Sequence, residues 1–220
     1  MQASLRSPRY RDVMEAGDGP PEDGEAQREG TRRGPDGDHE TGVDQLIQVA
    51  LGDRDPDGTT RWQAITALQA RGDLETFTVA RRLCASASAS ERVLGVDILG
   101  ELGRDRPFAD RTLPVLRYLA VSESDSHVLY SVLIAFGHLR DVRALPSVIE
   151  LSGSDDPVVR YGAAYALPNV MGDPPDPAGL SALRRLAADE DDDVADWASL
   201  GLTLTSGGQV KDFGRQILDP

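Results

Sequence analysis

Of the chain's 220 residues, 40% are hydrophobic and only 5% aromatic, while 37 Asp and Glu against 23 Lys and Arg give a formal net charge of −14. That charge opposes general binding to phosphate backbones, which needs a basic footprint, and a core drawn from Leu, Ala, Val and Ile favours helices over strands. The single cysteine, Cys84, excludes an internal disulfide framework and a Cys-rich zinc site.

The opening residues, MQASLRSPRYRDVMEAGDG, carry arginines without an apolar run, unlike a secretory signal. No stretch approaches the roughly 18 consecutive apolar residues of a membrane span, so the expectation is a soluble cytoplasmic protein. Met14 is an alternative start. Only Lys211 among the basic side chains is a lysine, which reads as a high-GC coding bias. Residues 1–41 are rich in Gly, Pro, Asp, Glu and Arg, and bury too little apolar surface to offset the entropy of ordering them. They are predicted to be a disordered tail.

From Val43 the pattern changes. The segments VDQLIQVAL (43–51), LETFTVARRLCA (74–85), RTLPVLRYLA (111–120), RALPSVIELS (143–152) and AGLSALRRLAA (178–188) place apolar residues at three- and four-residue steps. Each is paired with a second helical frame. Arg61, Ala64 and Leu68 set it, and it recurs as Arg92, Gly95, Leu99; Leu129, Val132, Phe136; Arg160, Ala163, Leu167; and Ala195, Ala198, Leu202. The anchors at 61, 92, 129, 160 and 195 lie 31, 37, 31 and 35 residues apart, which marks an internal repeat. Asp-Pro, Gly and Ser clusters separate the segments and supply caps and stops. One helix pair cannot bury its own stripe but stacked pairs can, so the fold class is all-α, a solenoid of about five helix-turn-helix units. The expected division is a tail at 1–41, a repeat domain at 42–206 with units near 43–72, 73–105, 106–141, 142–173 and 174–206, and a C-terminal cap or tail at 207–220.

The unit resembles the short HEAT repeat named after phycobilisome lyases, whose second helix opens D-x-x-V-R and continues A-x-x-A-L. Asp156, Val159, Arg160, Ala163, Ala166 and Leu167 match, as do Asp57, Arg61, Ala64, Ala67 and Leu68, with Thr60 in place of the valine. The other copies depart: Leu129 and Ala195 hold the arginine position and Ser88 the aspartate position. The resemblance covers about residues 43–206 and implies second helices lining a concave face. It carries little about function, because its motif residues are mostly scaffold.

Arg61 and Arg160 are expected to form an inter-repeat ladder with turn carboxylates, in preference to an anion site. One and five positions beyond each anchor share a helix face. Those positions place Trp62, Tyr130, Tyr161 and Tyr165 as an aromatic strip flanked by Asp97 and Asp196, suited to a partner carrying Arg or Lys. The alternative is that the rings pack between helices. The acidic run at 189–193 lacks the spacing and central glycine of a calcium loop and reads as a solvated helix start. His127 and His138 would stand about 16 Å apart on one helix, too far for joint metal ligation. His39-Glu40 is the single His-Glu pair, where a deoxyhypusine hydroxylase-like protein would need several. No nucleophile elbow, phosphate loop or dinucleotide fingerprint occurs, and Cys84, in an apolar stripe, reads as buried and inert. The expected function is a non-catalytic scaffold gripping a partner protein or peptide, basic ones included, on its concave face, without cofactor, metal, nucleic acid or membrane. The alternative is an enzyme of a HEAT-related class: bilin lyase-like, then hydroxylase-like. DNA-glycosylase-like activity suits poorly a region, 42–220, with 17 basic and 27 acidic residues.

Overall fold

Apolar steps of three and four residues give each helix one buried stripe, and the stripes of paired helices close on one another. The computed structural model describes residues 42–55, 57–103 and 107–206. Five consecutive helix pairs run through them: α1 (Val43–Gly52) with α2 (Thr59–Arg71), α3 (Leu74–Leu83) with α4 (Ala89–Gly100), α5 (Ala109–Ser122) with α6 (Ser126–Leu139), α7 (Leu145–Leu151) with α8 (Pro157–Val170), and α9 (Pro177–Leu186) with α10 (Asp192–Thr205). A 3-10 turn, Val142–Ala144, leads into α7. No strand occurs among the described residues. The all-α solenoid expected from the repeat is what is seen. The predicted tail at 1–41 and cap at 207–220 lie outside the described residues.

Local chemistry explains where the helices begin and end. Asp73, Asp125, Asp156, Asp176 and Asp191 each accept a hydrogen bond from a backbone N–H of the first turn that follows, satisfying donors the helix cannot pair internally. Gly72 ends α2 at φ +58, and a Cβ there would sit 2.9 Å from the Cα of Gly103. That turn therefore requires glycine on both conformational and steric grounds.

The second helices α2, α4, α6, α8 and α10 stack directly on one another and form the inner layer, while the first helices cover it from outside. Between the layers runs one continuous core that includes Ile65, Leu68, Leu94, Ile98, Leu116, Leu133, Phe136, Leu167 and Leu183. Small residues set the spacing of the inner layer. Gly162 on α8 lies so close to Leu133 and Tyr130 of α6 that a Cβ would stand 3.1 to 3.2 Å from them. On α10, Gly201 meets the ring of Pro168, which sits within α8.

Candidate functional site: an aromatic and acidic groove

Two kinds of polar structure occupy the inner layer, and they meet at Arg61 and Asp97. The first is the arginine ladder. Arg92 makes a bidentate pair with Glu123 (Nε–Oε2 2.6 Å, Nη2–Oε1 3.1 Å), and its Nη1 donates to the carbonyls of Ser86 and Ala87. Arg160 repeats this with Asp189 (2.8 and 2.9 Å) and the carbonyls of Ser154 and Asp155. Each acid stands two residues before the cap of the next inner helix and also accepts the N–H of that cap residue, Asp125 or Asp191. Hydrogen bonds from Arg160 hold the Asp189 carboxyl below its ordinary pKa, against burial. Burial acts to raise that of Glu123, but the Arg92 hydrogen bonds and two backbone N–H groups outweigh it and the net shift is downward.

The same bookkeeping explains the arginine that departs from the ladder. Two residues before the cap of α4 stands Ser86, which accepts from Ser88 N but offers no carboxylate. Arg61, 5% exposed, instead donates to the carbonyl of Ala50 (3.2 Å) and reaches Asp97 (3.5 Å), leaving its Nε without a partner. In the third unit both ladder positions are altered together, to Leu129 and Ser154. Arg61 and Arg160 are thus held by the scaffold, as the ladder reading expected for such arginines, although Arg61 finds a different acid.

The second structure is a groove of about 1620 Å³ that crosses all five inner helices. One and five residues beyond the anchors of α2, α4, α6 and α8, every side chain lines it: Trp62, Val93, Tyr130 and Tyr161, then Thr66, Asp97, Ile134 and Tyr165. Tyr130 and Tyr161 lie with ring centroids 6.2 Å apart, Tyr161 stacks on Trp197 at 5.8 Å, and Trp197 stacks on Tyr165 at 6.1 Å. His138 meets Tyr165 edge-on at 5.9 Å and pairs with Glu101 through Nδ1 at 2.8 Å. The rings therefore pack on one another between helices and, half-buried, also form the groove wall.

Of the six residues singled out from sequence, Tyr130, Tyr161 and Tyr165 are brought together, and Trp62 stands toward the far end of the same groove. Asp97 is in the wall, but its side chain is only 6% exposed and faces Arg61. Asp196 is exposed and does not line the groove. At the same position on α6 and α8, Tyr130 and Tyr161 each meet a ring of the following inner helix, and no described helix follows α10. Trp197, the next residue, takes part instead, because it faces back onto Tyr161 and Tyr165 of α8. Two residues beyond the anchor on α8 stands Gly162, so nothing in the repeat pattern singled out Trp197; aligning the last copy by its second neighbour would have found it.

The groove is acidic. Asp53, Asp57, Asp97, Glu101, Asp125, Asp191 and Asp193 line it against Arg54 and Arg61. Among the described residues no group of three or more His, Cys, Asp or Glu is arranged to hold a metal ion. Among them, too, no helix is long and apolar enough to cross a membrane. Cys84 is buried against α4, where a Cβ on Gly95 would touch its Sγ, and burial pushes its thiol pKa up to about 12.

Comparison with known proteins agrees with this geometry. The Escherichia coli protein YibA has a solved structure that superposes with a TM-score of 0.62 at 19% identity, over 77% of this chain and 60% of that one. The chain thus spans about 60% of the length of the YibA chain. A designed armadillo repeat protein, solved in complex with the peptide (KR)4, superposes with a TM-score of 0.50 at 17% identity, over 76% of this chain and 84% of that one. No curated protein matches the chain. The family model for HEAT repeats matches residues 80–168 and again 113–203, which together exceed half of the sequence. With five stacked helix pairs and the arginine ladder between them, the chain belongs to the HEAT-repeat family.

Proposed function

We propose that this protein is a binding scaffold whose inner groove grips an extended, Arg- or Lys-rich segment of a partner protein. The observation that carries the reading is the ladder Tyr130–Tyr161–Trp197–Tyr165 set in a groove with an excess of carboxylates. Guanidinium and ammonium groups stack on aromatic faces while carboxylates neutralise them, and each such contact is worth about 0.5 to 2 kcal/mol. The groove's size supports a polypeptide over a small molecule. Its 1620 Å³ exceeds the roughly 300 to 1,000 Å³ of small-ligand pockets. Five helices at about 8 to 10 Å spacing give a run of roughly 32 to 40 Å, matching about ten residues of extended chain.

A role in binding and not in catalysis is supported by where the groove's ionisable groups are engaged. Asp125 and Asp191 cap helices, Asp97 faces Arg61, and Glu101 pairs with His138. The designed armadillo protein with its (KR)4 peptide shows that a related solenoid accepts such a ligand; at 17% identity it lends this chain only the fold.

The test uses the chain's two tryptophans, Trp62 and Trp197, which both line the groove. Titration with an alternating Lys-Arg octapeptide should change their emission and give a measurable affinity. The Tyr161→Ala/Tyr165→Ala variant keeps every charge, and should weaken binding by about tenfold or more while leaving the helical signal intact. Equal binding by both proteins would show that only net charge attracts the peptide, and would sink the groove as the site.

A further inference from the structure

We propose that the groove's resident occupant is a segment of the same chain, Leu5–Arg11, which a partner must displace. This rests on the basic-segment reading above and adds a regulation to it. The charge pattern of the sequence before α1 is sharply divided. Residues 1–11 hold Arg6, Arg9 and Arg11 and no acid, whereas residues 12–41 hold ten Asp and Glu against three Arg. The segment LRSPRYR therefore has the charge the groove lacks, and the thirty residues after it have the charge the groove repels. Its composition fits as well. Three guanidinium groups suit the faces of Tyr161, Tyr165 and Trp197, and Pro8 disfavours a helical conformation for the residue before it.

Reach permits the contact. Thirty residues separate Arg11 from Gly42, a span of up to about 100 Å at 3.3 Å each. The aromatic ladder begins two inner helices beyond α2 and ends on α10, within about 40 Å of it. A tethered segment whose linker spans the distance acts at an effective concentration on the order of millimolar, so a weak intrinsic affinity suffices.

The test compares full-length proteins for binding of the Lys-Arg octapeptide. Arg6→Glu/Arg9→Glu/Arg11→Glu should bind it about tenfold more tightly than the parent if the segment fills the groove nine-tenths of the time, since apparent affinity scales with the open fraction. Arg28→Glu/Arg32→Glu/Arg33→Glu makes the same change of net charge outside the segment and should tighten binding far less. Equal tightening in both variants, or none in the first, would overturn the occupancy while leaving the partner reading standing. Binding by none of the three proteins would remove both. A relief that shrinks on dilution of the protein would assign the segment to the groove of a second copy and overturn the arrangement within one chain.

Discussion

Replacement of Arg160 by leucine and of Asp189 by serine tests whether the ladder pair is a single energetic unit. The substituted pair is the one the third unit carries at the same positions, Leu129 with Ser154. In the parent, the two side chains are 12% and 9% exposed and joined by two charge-assisted hydrogen bonds. Breaking a fully buried pair from one side costs about 3 to 5 kcal/mol, because the remaining charge is stranded. Arg160→Leu leaves the Asp189 carboxylate with only backbone N–H donors, from Asp191 and Glu190, and frees the carbonyls of Ser154 and Asp155. It should cost about 3 kcal/mol, at the lower end because the site is not fully buried. Asp189→Ser leaves a guanidinium still bonded to two carbonyls and 3.9 Å from Glu190, and should cost about 2 kcal/mol. The double variant should cost about 3 kcal/mol, so the coupling is about 2 kcal/mol. Urea denaturation followed by ellipticity gives the totals. Trp197 emission in a Trp62→Phe background reports the last unit separately, since a solenoid need not unfold in one step. Additivity within about 0.5 kcal/mol would refute the claim that Arg160 and Asp189 act together.

The remaining predictions concern acid stability, the thiol and the groove wall. The Glu123 and Asp189 carboxyls are held below their ordinary pKa, so their contribution is complete above the usual range of about 4 and fades as pH falls through the lowered folded values. The Arg160→Leu/Asp189→Ser variant should therefore lose stability less steeply than the parent between about pH 4 and 2; parallel curves would count against the pairing. Cys84, buried with its thiol pushed up to about 12, should resist iodoacetamide at pH 8 in the native protein and react on unfolding. Rapid native labelling would place it elsewhere. Gly137→Ala puts a Cβ 2.5 Å from Cε1 of Tyr165. It should shift Trp197 emission, weaken octapeptide binding several-fold and cost about 1 to 3 kcal/mol of stability; unchanged binding would detach Tyr165 from the site.

The scaffold was legible in the sequence because its demands are local and repeated. Each helix needs a stripe at a fixed period, each turn a cap, each ladder step an arginine, and five copies let one average over the degenerate ones. The groove positions of four helices followed from the same register, since residues four apart share a face. What escaped were contacts between copies that differ from one another. The turn residues 86, 123, 154 and 189, aligned with each other, would have shown that Arg61 has no ladder acid and must look elsewhere. The Glu101–His138 pair joins consecutive units at equivalent positions, nine residues beyond the anchors Arg92 and Leu129, but the other copies carry Ala70, Asn169 and Leu204 there and show no such pairing. Trp197 was hidden because it lies on α10, the last described helix, two residues beyond the anchor and not one or five.

This difference between repeated and unrepeated residues is also the physical reason to look for function in the groove. A ladder step can be lost when both partners go together, as at Leu129 and Ser154, or when the arginine that stays finds another acid, as Arg61 finds Asp97, because stranding a charge is what costs stability. The groove side chains obey no such pairing with the repeat, and stacking alone would be met as well by aliphatic residues. Yet four aromatic rings converge on one stretch of the inner layer, and glycines at 137 and 162 make room for two of them: a Cβ at Gly137 would strike Tyr165, and one at Gly162 would crowd Tyr130. Glycine within a helix costs about 1 kcal/mol relative to alanine. Helices α6 and α8 each accept this cost once, at Gly137 and Gly162, to seat half-buried rings beside carboxylates, and that is a reason to look for function there.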